Sequence, residues 1–286
     1  MLKIYEASRE TPLNRRFERP SVGLAMAGGG PVGAVYELGA LRAIEESING
    51  LRLDQLDCYV GVSAGAFIAA SLANGISCTE QCRIFMGSEH ANIEFVPDLF
   101  LKPAYREYIE RAMKVPSVVR DALLKVIRDP ATASPSKVIA ELGRALPSGI
   151  YNNDTINEFL RKSFEEHGRG NSFEDLACQL YVVAVDLDSG KSVRFGSEGL
   201  RDVPISRAVQ ASAALPGLYP PVKIGERYYV DGALRRTLHA SVALDQKVDL
   251  LIGINPLVPF DAGGGADPRA LSTRKLVRGG LPLILS

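Results

Sequence analysis

The hydrophobic pattern of the chain alternates between short apolar runs and segments with helical spacing. The apolar runs at residues 22–27 and 57–62 are each followed by a segment with helical periodicity. Those helical segments occupy residues 34–44 and 66–73, and further apolar runs occur at 180–185, 191–195, 222–224, 227–230 and 250–254. Strands that alternate with helices in this way predict an α/β fold with a mainly parallel central sheet.

The order of these patterns divides the chain into parts. Residues 1–20 are polar and charged, and we expect an extended lead-in there, followed by one large domain over residues 21–256. Within that domain, residues 93–150 show helical segments broken by prolines, which predicts a helical insertion. Residues 257–286 form a tail that ends in an apolar run. Two alternatives are open for it: it docks on the core, or the natural protein continues beyond Ser286.

A serine stands between the second apolar run and the helical segment that follows it. The sequence Gly61-Val62-Ser63-Ala64-Gly65 has the G-x-S-x-G pattern of a nucleophile elbow, in which a sharp strand-to-helix turn presents the hydroxyl. Gly61 and Gly65 fit this interpretation because side chains there would crowd the turn. The alternative is a turn of small residues without chemistry. Ser63 is the first candidate for covalent catalysis.

A glycine-rich segment connects the first apolar run to the first helical segment. Gly28, Gly29 and Gly30, followed by Gly33, could belong to a dinucleotide-binding fingerprint, but the next strand has its acidic residue at its start, not at its end. The glycines could also only close a tight turn. Consecutive glycines before a helix expose backbone N–H groups that stabilise an oxyanion. We therefore expect an oxyanion hole beside Ser63, since both segments follow adjacent parallel strands.

The base that would activate Ser63 is harder to identify. The chain has three histidines, and His239 is the least implausible partner, because His90 and His167 stand in polar segments. Asp231 is the alternative: it ends a predicted hairpin strand and precedes Gly232, so it is either a turn former or a carboxylate base.

These motifs, in this order, resemble the patatin-like phospholipase family over roughly residues 21–256. The segment Ala211-Ser212-Ala213-Ala214-Leu215-Pro216-Gly217-Leu218-Tyr219-Pro220-Pro221 also resembles that family. The resemblance implies a three-layer α/β sandwich with an inserted helical cap. It makes Ser63 the nucleophile, Asp231 the base in a dyad without histidine, and the N–H groups of Gly28, Gly29 and Gly30 the oxyanion hole. The supporting motif glycines would be Gly33, Gly61, Gly65 and Gly232.

The activity that this resemblance implies is hydrolysis of carboxylic esters in phospholipids or neutral lipids, through an acyl-enzyme. Three alternatives stay open: an acyltransferase, a Ser-His-Asp esterase, and a lipid-binding relative with little turnover. Val32 stands where the family usually has Lys or Arg, which bears more on head-group preference than on ester chemistry.

The predicted cap contains apolar side chains edged with basic ones, such as Phe100 and Leu101 beside Lys102. Such a face would lie against anionic lipid or line an acyl channel, although ordinary amphipathic helices packed on the sheet have the same pattern.

Composition restricts the remaining function classes. Lys plus Arg, 33, equals Asp plus Glu, 33, so net charge gives no indication of nucleic-acid binding. Cys78 and Cys82 lack zinc-site spacing, and we expect free thiols, no metal and no cofactor. The N-terminus lacks the apolar core of a secretory signal, and no apolar run is long enough to span a membrane. We therefore expect a cytoplasmic enzyme that contacts a membrane peripherally, whose oligomeric state the sequence does not predict.

Overall fold

A computed structural model of the chain describes residues 20–86, 151–166 and 168–257. The elements in chain order are β1 (Val22–Met26), α1 (Gly30–Ser47), β2 (Cys58–Val62), α2 (Ala64–Ala73), α3 (Cys78–Phe85), α4 (Asp154–Glu166), β3 (Gln179–Asp186), β4 (Ser192–Phe195), α5 (Ile205–Ser212), β5 (Val222–Ile224), β6 (Arg227–Asp231), a 3₁₀ turn (Gly232–Leu234), α6 (Ala240–Asp245) and β7 (Leu250–Ile254).

The strands form one mixed sheet in the order β5-β6-β3-β2-β1-β7, with β4 paired to β3 outside this path. The pairs β7–β1, β1–β2 and β2–β3 are parallel. The pairs β3–β4, β3–β6 and β5–β6 are antiparallel. The centre of the sheet is therefore parallel, as the alternation of strands and helices predicts, and antiparallel strands complete one side.

Alternate residues of the strands point to opposite faces of the sheet, and both faces are covered. Leu24 and Met26 of β1 belong to a large apolar cluster that includes residues of α1 to α5, whereas Ala25 belongs to a second cluster that includes α6. All five residues of β2 are buried, as expected for a strand enclosed on both faces. This confirms an α/β fold with a mostly parallel sheet flanked by helices in three layers.

Helix α1 is longer than the hydrophobic pattern predicts. It begins at Gly30 instead of residue 34 and continues to Ser47. Pro31 is compatible with this start, because the first helical turn does not require the N–H that proline lacks. The helix therefore begins inside the glycine-rich segment, so its positive end lies at the sheet edge.

The two edges of β3 explain how distant parts of the chain meet. Ala184 pairs with Val193 of β4 and with Asp231 of β6, and these partners must lie on opposite edges. On the edge opposite β4, residues 179–183 of β3 pair with β2, and Val183 pairs with Val62. Strand β2 pairs with the first part of this edge of β3, and β6 pairs with the next part of the same edge. Asp231 therefore lies directly beyond the end of β2.

Several expectations concern residues outside the described ranges. These are the lead-in before residue 20, the cap at 93–150 with Phe100 and Leu101, the tail beyond residue 257, and His90 and His167. All four cysteines fall within the described ranges, and they are free thiols, as expected. None of the helices that the structure describes is both long and apolar enough to cross a membrane.

Candidate active site

Ser63 lies at the turn between β2 and α2 in a conformation that side chains rarely adopt. Its φ is 51° and its ψ is −120°, and α2 begins at the next residue, Ala64. The flanking glycines permit the close approach of three segments. A Cβ on Gly61 would lie 2.4 Å from Cα of Ala66, and a Cβ on Gly65 would lie 2.4 Å from the carbonyl oxygen of Ala27. The turn therefore has the geometry of a nucleophile elbow, and its strain has to be held by its surroundings.

Ser212 holds this turn from the end of α5. The Ser63 N–H donates to Oγ of Ser212 at 2.8 Å, and the Ser212 hydroxyl donates to the carbonyl of Val183 at 2.6 Å. Ser212 is completely buried. One side chain thus links the backbone of the serine turn to β3, and the Ser63 N–H is not free to bind another group.

Asp231 ends β6 and is 3% exposed. Its N–H donates to the carbonyl of Ala214 at 3.0 Å, and its Oδ1 accepts the Ala233 N–H at 2.8 Å. Burial raises the pKa of Asp231 to about 6, while hydrogen bonding from the Ala233 N–H and from the Ser63 hydroxyl acts in the opposite direction. The carboxyl group is therefore beside the serine, and its pKa suits proton transfer near neutral pH.

Gly28 differs from the sequence-based expectation for an oxyanion donor. Its N–H donates to the carbonyl of Thr237 at 3.0 Å. What matters at Gly28 is the absence of a side chain, because a Cβ there would lie 3.2 Å from Cβ of Ala233 and 3.3 Å from Cβ of Ser63. Gly28 therefore allows the serine turn and the segment after Asp231 to approach each other.

Gly29 and Gly30 form the start of α1 beside this contact. Gly29 is the N-cap residue, and Gly30 has a φ of +60°. A Cβ on Gly29 would lie 2.6 Å from Cγ of Pro256, and one on Gly33 would lie 3.1 Å from the same atom. Backbone N–H groups in the first turn of a helix have no intrahelical partner. Gly30 is the first residue of α1, and Ala64 is the first residue of α2. Two helix N-termini thus meet at the carboxyl edge of β1 and β2.

Gly232 lets Asp231 approach the sheet. A Cβ on Gly232 would lie 2.3 Å from the carbonyl oxygen of Val183 and 3.1 Å from Cγ1 of Val62. Any larger residue would push the 3₁₀ turn, and Asp231 with it, away from the end of β2.

His239 is near the site but not at its chemical centre. It is the N-cap residue of α6, and its imidazole hydrogen-bonds to the backbone of Gly232 and Arg236. Burial lowers the pKa of His239, and its Nε2 has no hydrogen-bond partner. None of its interactions in the described ranges is with Ser63 or Asp231. Within those ranges, no group of three or more His, Cys, Asp or Glu side chains is arranged to hold a metal ion.

Sequence reasoning does not single out two positions that the structure places at the candidate site. The G-x-S-x-G pattern contains Ala64 without indicating a role for it, although the residue after a nucleophile commonly donates its N–H to the oxyanion. Ser212 stands in a segment that resembles the family, but the resemblance gives this residue no role. The signal that could have drawn attention to Ser212 is a serine on an otherwise apolar, buried helix end.

Replacing Ser212 tests whether it holds the serine turn. In Ser212→Ala the Ser63 N–H loses its acceptor, so we expect unfolding free energy to fall by about 1–3 kcal/mol and kcat to fall roughly tenfold or more. Ser206 is the matched control, because it lies on the same helix, is buried, and bonds to Asn157 at 2.6 Å and Asn171 at 2.8 Å. Ser206→Ala should lose similar stability with little change in kcat. Equal kcat losses in both variants, measured beside thermal melting, would contradict the role of Ser212.

A serine on a strand-to-helix turn, at the parallel centre of a mixed sheet that helices flank, defines the class: an α/β protein with a candidate nucleophile elbow. The family model described as patatin-like phospholipase matches residues 24–244, which lie inside the domain predicted at 21–256. The chain belongs to the patatin-like phospholipase family.

The individual relatives have low sequence identity to this chain. An uncharacterized NTE family protein of Mycobacterium tuberculosis is 29% identical over 234 residues, which are 80% of this chain and 29% of that protein. An uncharacterized protein of Acanthamoeba polyphaga mimivirus is 25% identical over 234 residues, 81% of this chain and 64% of that protein. The chain therefore spans less than a third of the length of the mycobacterial relative.

Two solved structures are similar at low identity. VipD from Legionella pneumophila has a TM-score of 0.39 at 17% identity, covering 75% of this chain and 46% of VipD. The type III effector protein ExoU has a TM-score of 0.35 at 19% identity, covering 68% of this chain and 40% of ExoU.

Proposed function

We propose that the protein hydrolyses carboxylic esters of lipids through Ser63 as nucleophile and Asp231 as base. The observation that carries this proposal is the placement of a buried carboxyl group, with a pKa raised to about 6, directly beyond the strand that presents Ser63. A carboxylate with this pKa is ionised at neutral pH and still basic enough to accept a hydroxyl proton in the transition state.

The proposed reaction has two halves. Ser63 Oγ bonds to the ester carbonyl carbon while its proton passes to Asp231, and the tetrahedral intermediate collapses as the leaving alcohol takes that proton. Water then attacks the acyl-enzyme and transfers a proton to Asp231. When the intermediate collapses, Ser63 Oγ recovers the proton and the fatty acid leaves.

The oxyanion would be stabilised by backbone N–H groups at the two helix N-termini. We assign this role to Gly29 and Gly30 at the start of α1 and to Ala64 at the start of α2. Gly28 is left out because its N–H already donates to Thr237. Each well-placed donor contributes on the order of 3 kcal/mol to lowering the barrier.

The setting of the reaction is also a proposal. We place the protein in the cytoplasm, peripheral to the inner face of a membrane, and the four free cysteines support a reducing compartment. A phospholipid or a neutral lipid would present the same ester carbonyl to Ser63.

The test compares the dyad with a triad that would need His239. We expect the parent protein to release fatty acid from a medium-chain soluble ester and from phospholipid vesicles. His239→Ala and the more conservative His239→Gln should keep kcat on the soluble ester within about threefold, since the imidazole only supports the turn after Asp231. Loss of turnover in both variants, with unchanged thermal melting, would favour a triad. No turnover by the parent on any ester would contradict the proposal.

A further inference from the structure

We propose that an apolar and basic rim around the candidate active site docks on the surface of an anionic lipid bilayer. The rim consists of Val32, Val35 and Tyr36 on α1 and of Leu234, Arg235 and Arg236 after Asp231. The inference rests on the proposed function, because a lipid ester has to pass from a bilayer to Ser63.

The part of the rim on α1 is apolar where a surface helix is normally polar. Val32 is 76% exposed, Val35 62% and Tyr36 58%, and their spacing places them on one face of the helix. The first charged side chain on the outer part of α1 is Arg42, well over a turn further on. Tyrosine suits a lipid interface, since its ring is apolar and its hydroxyl can remain in contact with water.

The part of the rim after Asp231 adds positive charge. Leu234 is 52% exposed, and Arg235 and Arg236 are also exposed. Neither arginine forms an ion pair within the described ranges. Residues 28–36 and 232–239 contain no acidic residue, so the two guanidinium groups are not neutralised by their own segments. Arginine side chains can lay their stems on acyl chains while the charged ends meet anionic head groups.

Both parts of the rim begin close to the serine. A Cβ at Gly28 would lie 3.3 Å from Cβ of Ser63 and 3.2 Å from Cβ of Ala233. Helix α1 starts two residues after Gly28, and Leu234 follows Ala233 directly. A bilayer resting on the rim would therefore hold lipid esters over the turn that carries Ser63.

A bilayer fits the rim better than a protein partner does. The apolar part is a stripe of three side chains on one helix, whereas a stable protein interface buries about 800 Å² on each partner. Adjacent apolar and cationic side chains are the combination by which peripheral proteins bind anionic lipid. These side chains lie near Ser63, the proposed nucleophile, so a bilayer bound to them would bring lipid close to the site of the reaction.

Vesicle binding tests the rim with the full chain. In co-sedimentation, we expect the protein to bind vesicles of phosphatidylcholine with phosphatidylglycerol, to bind phosphatidylcholine alone much more weakly, and to lose binding at high salt. Replacing both Arg235 and Arg236 by Gln should weaken binding roughly fivefold for each arginine removed. The double variant of Val35→Asp with Tyr36→Asp should weaken it at least tenfold.

Matched controls lie elsewhere on the surface. Leu244 is 57% exposed in the last turn of α6, and Lys162 is exposed on α4, which packs against α5. Leu244→Asp and Lys162→Gln should bind anionic vesicles like the parent. For the rim variants, the loss of turnover on vesicles should exceed any loss on a soluble ester by at least tenfold.

The possible outcomes distinguish failure of the docking proposal from failure of the catalytic proposal. Ser63→Ala that binds anionic vesicles like the parent but lacks turnover supports docking, whatever the base proves to be. The docking proposal would be overturned if the parent did not bind anionic vesicles, or if the rim variants bound them as well as the parent does. A drop in melting temperature or a change in oligomeric state in the aspartate variants would show that protein covers the α1 stripe, which also overturns it.

Discussion

Ser63→Ala should lower kcat on any ester by roughly 10³-fold or more, because removal of a covalent nucleophile eliminates the acyl-enzyme route. The fold should survive this change. The Ser63 N–H would still donate to Ser212, and the side chain is small and nearly buried. Initial rates on a soluble medium-chain ester, measured beside thermal melting, check the prediction.

Ser63→Gly is a control that distinguishes chemistry from backbone strain. At a φ of 51° glycine avoids most of the strain that a side chain imposes, whereas alanine retains it. Both variants should be inactive, but only Ser63→Gly should be more stable than the parent, by about 1 kcal/mol. Turnover within tenfold of the parent in either variant would show that another residue is the nucleophile.

Asp231→Asn should remove most of the activity and at the same time stabilise the fold. An asparagine oxygen can still accept the Ala233 N–H, so the 3₁₀ turn is preserved, but the amide cannot accept the Ser63 proton. We expect kcat to fall by roughly 10³-fold. In the parent, kcat/KM should rise with pH to half of its maximum at about 6, where Asp231 loses its proton in the free enzyme.

The stability gain follows from the raised pKa of Asp231. Below its ordinary pKa the carboxyl group is protonated in both folded and unfolded chains, so it has no effect on stability there. As pH rises to about 6, the unfolded chain ionises first and the folded state becomes less stable, by up to about 3 kcal/mol. Asp231→Asn removes this cost, so its melting temperature should exceed that of the parent at pH 7 by several degrees and match it near pH 4.

Asp186 provides the matched control for this prediction. It is a buried aspartate at the end of the neighbouring strand β3, but hydrogen bonds from the Ser189 N–H and from Arg227 lower its pKa. Asp186→Asn should therefore lower the melting temperature at pH 7 and leave kcat largely intact. If both asparagine variants were destabilised equally at pH 7, the raised pKa of Asp231 would be wrong.

The local patterns were sufficient to predict the elements that carry the site. The apolar run before Gly28 and the one before Ser63 each predict a buried strand followed by a turn, and both predictions are confirmed as β1 and β2. The hairpin that ends at Asp231 is confirmed as β5 and β6. These features depend on a few neighbouring residues, which is why sequence spacing reveals them.

Contacts between distant segments could not be predicted in the same way. Asp231 meets the serine turn because β6 takes over from β2 along one edge of β3, and this depends on strand pairing across about 170 residues. The hydrogen bond that the Gly28 N–H donates to the Thr237 carbonyl and the hydrogen bonds of Ser212 also join segments that are distant in sequence. Residue type alone predicts a free N–H at Gly28, and only the tertiary structure shows that this N–H has an acceptor.

The most direct test of the central claim is the pH dependence of covalent labelling by a fluorophosphonate, with the modified residue located by mass spectrometry. We predict a single adduct on Ser63, a labelling rate that rises with pH to half of its maximum at about 6, and labelling that is lost in Asp231→Asn. An adduct on another residue, or a rate in Asp231→Asn equal to that of the parent across the pH range, would contradict the Ser63–Asp231 mechanism.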